Sequence, residues 1–378
     1  MPHTSDDPEY TWLEGADGVQ RIAEAMERAP WVAVDTESNS MFVYRERVCL
    51  IQFNCGGELF MLDGLTLPPG PDTLAPWAPY FADPERPLYL HGGEYDVAVF
   101  KRDFGLSFGG VFDTQQAALF LGFDRTSYAY LTWAFCDVEL EKAHAQYDWG
   151  TRPISPSALR YALDDVVYLP RIVDAIKPVI EAADLIEEVN IAGDAVSGAA
   201  PHPAGFDAQK LWKLKGATRL GDRELAVLTA LYQWRDSLAE AQDKPPGRLI
   251  ANAALVSLAR HAPASKEALR QAGSRGRFTR EHGDELITIV QEALKNPPDL
   301  PKRQRTGRPS QEVQARSERL RSWRKAEAEA RGVPNQVIMP NRALEYIEVH
   351  GPDALADAPQ FGAKRIARYA DALKDVAR

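Results

Sequence analysis

Cysteine is scarce in this chain: three in 378 residues, at positions 49, 55 and 136, with no C-x-x-C pair. That scarcity excludes a disulfide framework and a thiolate zinc site, and it fits a reducing cytoplasm. No apolar run approaches the ~18 residues that a bilayer-spanning helix needs, so no transmembrane helix and no membrane partner are expected. The first residues, MPHTSDD, are polar and acidic where a signal peptide is basic and then apolar. With 45% apolar and 26% charged residues, the composition is that of a globular protein of two or three domains.

Basic residues are also in deficit, 44 against 54 acidic ones, and a net charge of −10 by itself disfavours a polyanionic partner. The deficit lies wholly in residues 1–200, where 13 Lys and Arg face 32 Asp and Glu; residues 201–378 carry 31 against 22. A body at −19 joined to a segment at +9 is the distribution expected when one part of a chain binds an anionic polymer. Residues 301–331 hold ten basic side chains against four acidic ones and read as a basic arm.

Two stretches, 193–206 (GDAVSGAAPHPAGF) and 296–311 (NPPDLPKRQRTGRPSQ), have the composition of linkers. They divide the chain into 1–192, 206–295 and 312–378. The second and third pieces are copies of one module. A shift of 89 residues gives twelve identities between 231–263 and 320–352, where chance gives about two. The shared residues include Trp234-Arg235 with Trp323-Arg324, Asn252 with Asn341, and His261 with His350. Leu225, Leu228, Leu231 and Tyr232 follow a helical stripe, so each module reads as a small helical bundle with its tryptophan as core anchor.

The first piece alternates instead. Runs such as WVAVD (31–35), VCLIQF (48–53) and ELFML (58–62) read as strands, with shorter ones at 87–91 and 111–112. Helical patterns start near Glu94, Asp113, Ser155 and Leu169. The expected architecture is α/β, a mixed sheet flanked by helices, followed by two small all-α domains.

Asp35 and Glu37 end the first of these strands, and residues two apart project to one face. Asp96 follows a Gly92-Gly93 turn and falls in the first turn of a helix. Tyr161 and Asp165 are spaced i, i+4 behind a Ser155-Pro156 helix start, which puts phenol and carboxylate side by side. Asp164 is rotated by ~100° and reads as a solvated neighbour. Each pair alone is common on solvated surfaces. Four carboxylates and a phenol converging at one sheet edge suit hard divalent cations, which can activate water against a phosphodiester.

The pattern resembles the 3′→5′ exonuclease superfamily named for its four acidic residues, in the branch with tyrosine in the third motif. The motifs are Asp35-Thr36-Glu37, His91 to Asp96, and Tyr161 to Asp165. Residues 140–155 resemble the segment before motif three in the ribonuclease D family, and the Trp-Arg modules resemble the HRDC domain. After motif one the chain reads Ser38-Asn-Ser-Met-Phe, where the family often places Phe directly, which bears on substrate detail.

The resemblance implies a ribonuclease H-like exonuclease domain and a 3′→5′ exoribonuclease acting in the cytoplasm on structured RNA such as tRNA precursors, with no obligate protein partner. It implies two Mg²⁺ or Mn²⁺ held by Asp35, Glu37, Asp96 and Asp165, with Tyr161 orienting the attacking water. His91 reads as a strand-end or substrate-adjacent residue. Lys142, Trp149 and Arg152 read either as contacts to the 3′-terminal nucleotides or as a Trp-Pro core corner with two surface cations. The rival readings are a DNA exonuclease of repair and, from another class, a non-catalytic RNA-binding adaptor.

Overall fold

The computed structural model describes residues 8–140, 144–201, 205–274, 276–303 and 309–377. The chain forms two compact units, one of Met1–Ser38, Arg47–His202 and Arg308–Arg378, the other of Asn39–Glu46 and Pro203–Gly307. The expected three-part division therefore meets a different grouping, because the second module shares a core with the α/β region.

In the first unit, six strands form one sheet in the order β1-β4-β3-β2-β5-β6. They are β1 (Thr11–Leu13), β2 (Val32–Ser38), β3 (Val48–Cys55), β4 (Glu58–Asp63), β5 (Leu88–Leu90) and β6 (Val111–Asp113). β2, β3 and β4 pair antiparallel, while β5 and β6 continue parallel from β2. The sheet is mixed. β1 lacks an alternating pattern, and its three residues are strand only because they pair in parallel with Phe60–Leu62 of β4. Every residue of β3 is buried, as a central strand covered on both faces must be.

Val32, Val34, Ile51 and Phe53 pack on the face covered by the helices Gly15–Arg28 and Glu94–Phe104. Ala33, Leu50 and Met61 pack on the opposite face under the helices Pro156–Val167 and Leu169–Ala182. The helix Ile186–Ser197 runs through the start of the expected first linker. Gly193 serves packing there, since a Cβ at that position would lie 2.0 Å from the Val111 carbonyl oxygen.

The second module docks on this region. Val337 joins a core with Phe120, Leu131, Ile172 and Ile176. Arg365, 2% exposed, donates to the carbonyls of Val337, Phe361 and Gln336 and lies 5.8 Å from the Phe120 ring. Lys364 pairs with Glu188 at 3.3 Å. In the second unit, the first module packs around Leu228, Leu231, Leu255 and Leu286. There Tyr44 donates its hydroxyl to Asp236, and Arg248 lies 4.8 Å from the Phe42 ring.

The duplication is exact down to its polar ties. Arg235 donates to the Ile250 carbonyl and Asn252 Oδ1 at 2.9 and 2.8 Å; Arg324 donates to the Met339 carbonyl and Asn341 Oδ1 at 3.0 and 2.9 Å. His261 and His350 each bond the carbonyl four residues before them. The repeated residues hold each module's turn to its long helix. Arg235→Met or Arg324→Met should therefore destabilise its own module by roughly 1–3 kcal/mol, because the Ile250 or Met339 carbonyl loses its charged donor. Hydrogen exchange should show protection lost over 231–263 in the first variant and over 320–352 in the second.

Candidate active site

β2 delivers the first two acids. Asp35 lies opposite Gln52 and Glu37 opposite Leu50, and both side chains leave the face of Ala33 that the helix Pro156–Val167 covers. A register shift between Glu37 and Ser38 ends the regular ladder just after the pair, a place where bulges commonly re-aim side chains. Thr36 points the other way and donates its hydroxyl to Asp96 Oδ1 at 2.5 Å.

Asp96 reaches the site because the chain reverses sharply after β5. Gly92 has φ +64°, and a Cβ on Gly93 would lie 2.8 Å from that of Leu90. The Gly93 amide donates to Asp113 Oδ2 at 2.8 Å, while Asp113 Oδ1 accepts from the amides of Gln115 and Gln116. One buried carboxylate thus caps a helix and pins the turn. The sequence reading starts a helix at Asp113 and includes Thr36 in motif one, but it gives neither of them a role at the site.

Ser155 Oγ accepts from the Ala158 amide at 3.2 Å and starts the helix that carries Tyr161 and Asp165. Asp164 turns aside to Arg160 at 2.9 Å, as its rotation predicts. Its carbonyl accepts the Tyr128 hydroxyl at 2.7 Å, another contact the sequence reading missed.

Carboxylate oxygens of Asp35, Glu37 and Asp165 lie within 4.8 Å of one another. Burial, then the charges of Asp96, Asp165 and Glu37, raise the Asp35 pKa well above the carboxylate range. Burial, then Asp165 and Asp96, push Glu37 up to about 9. Burial also raises Asp165 to about 7, with help from Asp164 and Asp96, and Asp96 to about 6 against the pull of the Thr36 bond. The carboxylates thus raise one another, and a set of hard oxygen donors with excess negative charge fits divalent cations. Tyr161 is pushed up to about 12 by burial and by Asp165, Glu37 and Asp35, so its phenol keeps its proton at neutral pH.

The residues expected to touch substrate stand differently. His91 Nδ1 bonds Thr114 Oγ1 at 2.9 Å, its ring meets Tyr128 edge-on at 5.3 Å, and burial lowers its pKa to about 4. It is a neutral strand-end residue, with no charge for a phosphate. Trp149 is 3% exposed and packs against Tyr147 and beside Tyr161, so it supports the phenol rather than a base. Arg152 gives all five N–H donors to protein: both oxygens of Asp63 and the carbonyls of Trp149, Thr151 and Cys49. It ties the segment before the helix to the sheet, and nothing remains for RNA. Lys142 lies outside the described residues.

Repulsion in the cluster has a measurable sign. A carboxyl whose pKa is raised by folding stabilises the protein while protonated, and that contribution is lost as pH rises through the folded value. In chelator, Asp35→Asn should therefore be more stable than the wild-type chain at pH 8, by on the order of 1–2 kcal/mol. The difference should shrink toward pH 4, and urea unfolding across that range checks it.

Comparison with known proteins agrees with this geometry. A 3′-5′ exonuclease family model matches residues 10–181, and an HRDC domain model matches twice, at 224–290 and 313–376. The chain is 30% identical over 304 residues to a ribonuclease D of Gluconacetobacter diazotrophicus, covering 80% of this chain and 76% of that one. It is 27% identical over 362 residues to a ribonuclease D of Pseudomonas paraeruginosa, covering 93% of each. Its fold matches Escherichia coli RNase D with a TM-score of 0.72 at 24% identity, over 97% of this chain and 98% of that chain. On these similarities the chain belongs to the ribonuclease D family.

Proposed function

We propose that this chain is a metal-dependent 3′→5′ exoribonuclease that trims the ends of structured RNA, such as tRNA precursors, and releases nucleoside 5′-monophosphates. The observation that carries the reading is the convergence of Asp35, Glu37 and Asp165 within 4.8 Å, with Asp96 near enough to raise Asp35 and the Tyr161 phenol near enough to be raised by the cluster. A relative of the same fold, Escherichia coli RNase D, is described as an exoribonuclease involved in structured RNA processing, which supports RNA as the substrate. All five groups come from one compact unit, which supports action without a protein partner. Cys49, Cys55 and Cys136 are buried and outside any disulfide, which supports a cytoplasmic setting. The proposed functional divisions are 1–192 for the chemistry and 206–295 and 312–378 for the two modules.

Asp35, Glu37, Asp96 and Asp165 would hold two divalent cations, Mg²⁺ or Mn²⁺. Bound there, such ions supply a water acidic enough to attack at neutral pH and offset charge on the leaving oxygen. Tyr161 keeps its proton, so it donates a hydrogen bond that orients the attacking water and is not the base that deprotonates it. Trp149 and Tyr147 fix the phenol's side of the site by packing. Thr36 holds one oxygen of Asp96.

The test is incubation of a 3′-extended tRNA and a matched DNA with Mg²⁺ or Mn²⁺, with product ends sequenced. RNA shortened stepwise from its 3′ end is expected; hydrolysis of DNA alone, or from the 5′ end, overturns the reading. Asp35→Asn and Asp165→Asn should abolish turnover while leaving the fold intact. Tyr161→Phe should lower kcat by roughly 10²-fold, the scale of a lost water-positioning group, with KM little changed. Weak RNA binding with normal kcat in that variant would make Tyr161 a binding residue instead.

A further inference from the structure

Gln52 is an anomaly beside the acidic cluster. It sits in the middle of β3, is 0% exposed, and neither its amide nitrogen nor its amide oxygen has a hydrogen-bond partner. Among the described residues it is the one side chain with two orphaned polar atoms. Burying an unpaired amide is costly, and such groups are retained where something satisfies them. Its neighbours on the same strand face show the contrast. Asn54, two residues on, donates to the Val166 carbonyl at 3.2 Å and accepts from the Gly57 amide at 2.8 Å.

Position says what Gln52 serves. It lies directly opposite Asp35 in the antiparallel β2–β3 ladder, and directly opposed residues point to one face with Cβ atoms ~4.5–5.5 Å apart. The amide therefore stands on the same face as Asp35 and Glu37, beneath the helix that carries Asp165. Asp35, for its part, is flanked by the carboxylates of Glu37 and Asp165. Asp96 is treated differently, since the Thr36 hydroxyl holds one of its oxygens. With zero exposure, Gln52 is out of reach of any RNA.

We propose that Gln52 is a positioning residue for the metal site: its amide N–H donates to the Asp35 carboxylate once that group ligates a cation, fixing the carboxylate's orientation. This rests on the metal-dependent reading above. Partners that orient a ligand in this way are commonly worth 10–100-fold in metal affinity. Methionine is nearly isosteric with glutamine and brings no orphaned polar atoms, so Gln52→Met separates metal positioning from packing.

The experiment measures Mn²⁺ binding by calorimetry, and thermal unfolding with chelator and with saturating Mn²⁺, for the full-length wild-type chain and Gln52→Met. The expected result is a metal-free Tm equal to or above wild type, Mn²⁺ affinity lower by roughly 10–100-fold, and a smaller Mn²⁺-induced rise in Tm. Unchanged affinity overturns the proposal. A lowered metal-free Tm or a failure to fold also overturns it, since the amide would then be a structural element of the core. A wild-type chain that binds no Mn²⁺ would instead overturn the metal reading itself, so the two failures are distinguishable.

Discussion

Mutual repulsion among four carboxylates is the constraint around which the first unit is built. Asp35, Glu37, Asp96 and Asp165 come from a strand and two helices; burial makes each less acidic, and Asp35, Glu37 and Asp165 are raised further by acidic neighbours that include Asp96. Nothing local would gather them, since each segment alone would turn its acid to water. They are held together by features that have no charge to lose: the apolar faces of β2 and β3, the two-glycine turn, and the Ser155 helix cap. Asp113 contributes by taking three backbone amides at once and so fixing where the Asp96 helix starts. The apolar core thus stabilises a site that electrostatics alone would scatter.

Arginine explains why the charge distribution of the sequence differs from the charge available at the surface. The basic arm counted in 301–331 is largely engaged within its own module. Arg316 bonds the carbonyls of Ala377 and Glu348 and the Glu312 carboxylate; Arg319 bonds the Val376 carbonyl; Arg324 ties a turn; Arg331 donates to the Tyr369 hydroxyl. Arg305 and Arg308 lie outside the described residues. A guanidinium offers five donors in a fixed fork, which suits it to collecting backbone carbonyls as well as phosphates. A positive count in sequence therefore overstates what is free to meet a polyanion. Arg152 makes the same point beside the active site, where its fork closes on Asp63 and three carbonyls.

Docking of the second module on the α/β region has a consequence for dissecting the chain. Val337 and Arg365 complete a core that begins with Phe120 and Ile172. A chain ending near residue 200 would expose that apolar surface, so loss of RNA binding in such a fragment would report damaged packing as well as missing contacts. Charge reversals on the modules probe RNA contact without that ambiguity.

The sequence by itself determined which acids and which phenol of each segment face the proposed site, because that is written in local spacing. Residues i, i+2 on a strand, i, i+4 on a helix, and an acid after a two-glycine turn each place a group without reference to the rest of the chain. It also determined the duplication and four of the helix starts, through periodicity and caps. The tertiary structure decided what depends on partners distant in sequence. The strand at residues 11–13 exists only by pairing with β4. Gly193 stands inside a helix, where a poor helix former is unexpected, because that helix packs so close to β6 that the Val111 carbonyl leaves no room for a Cβ. Trp149 and Arg152 became supports rather than RNA contacts because Tyr161 and Asp63 lie where they do. Gln52 reads in sequence as one polar residue in an apolar strand; only the β2–β3 register sets it opposite Asp35, because pairing between strands, unlike spacing along one, is fixed by how the whole sheet buries its faces.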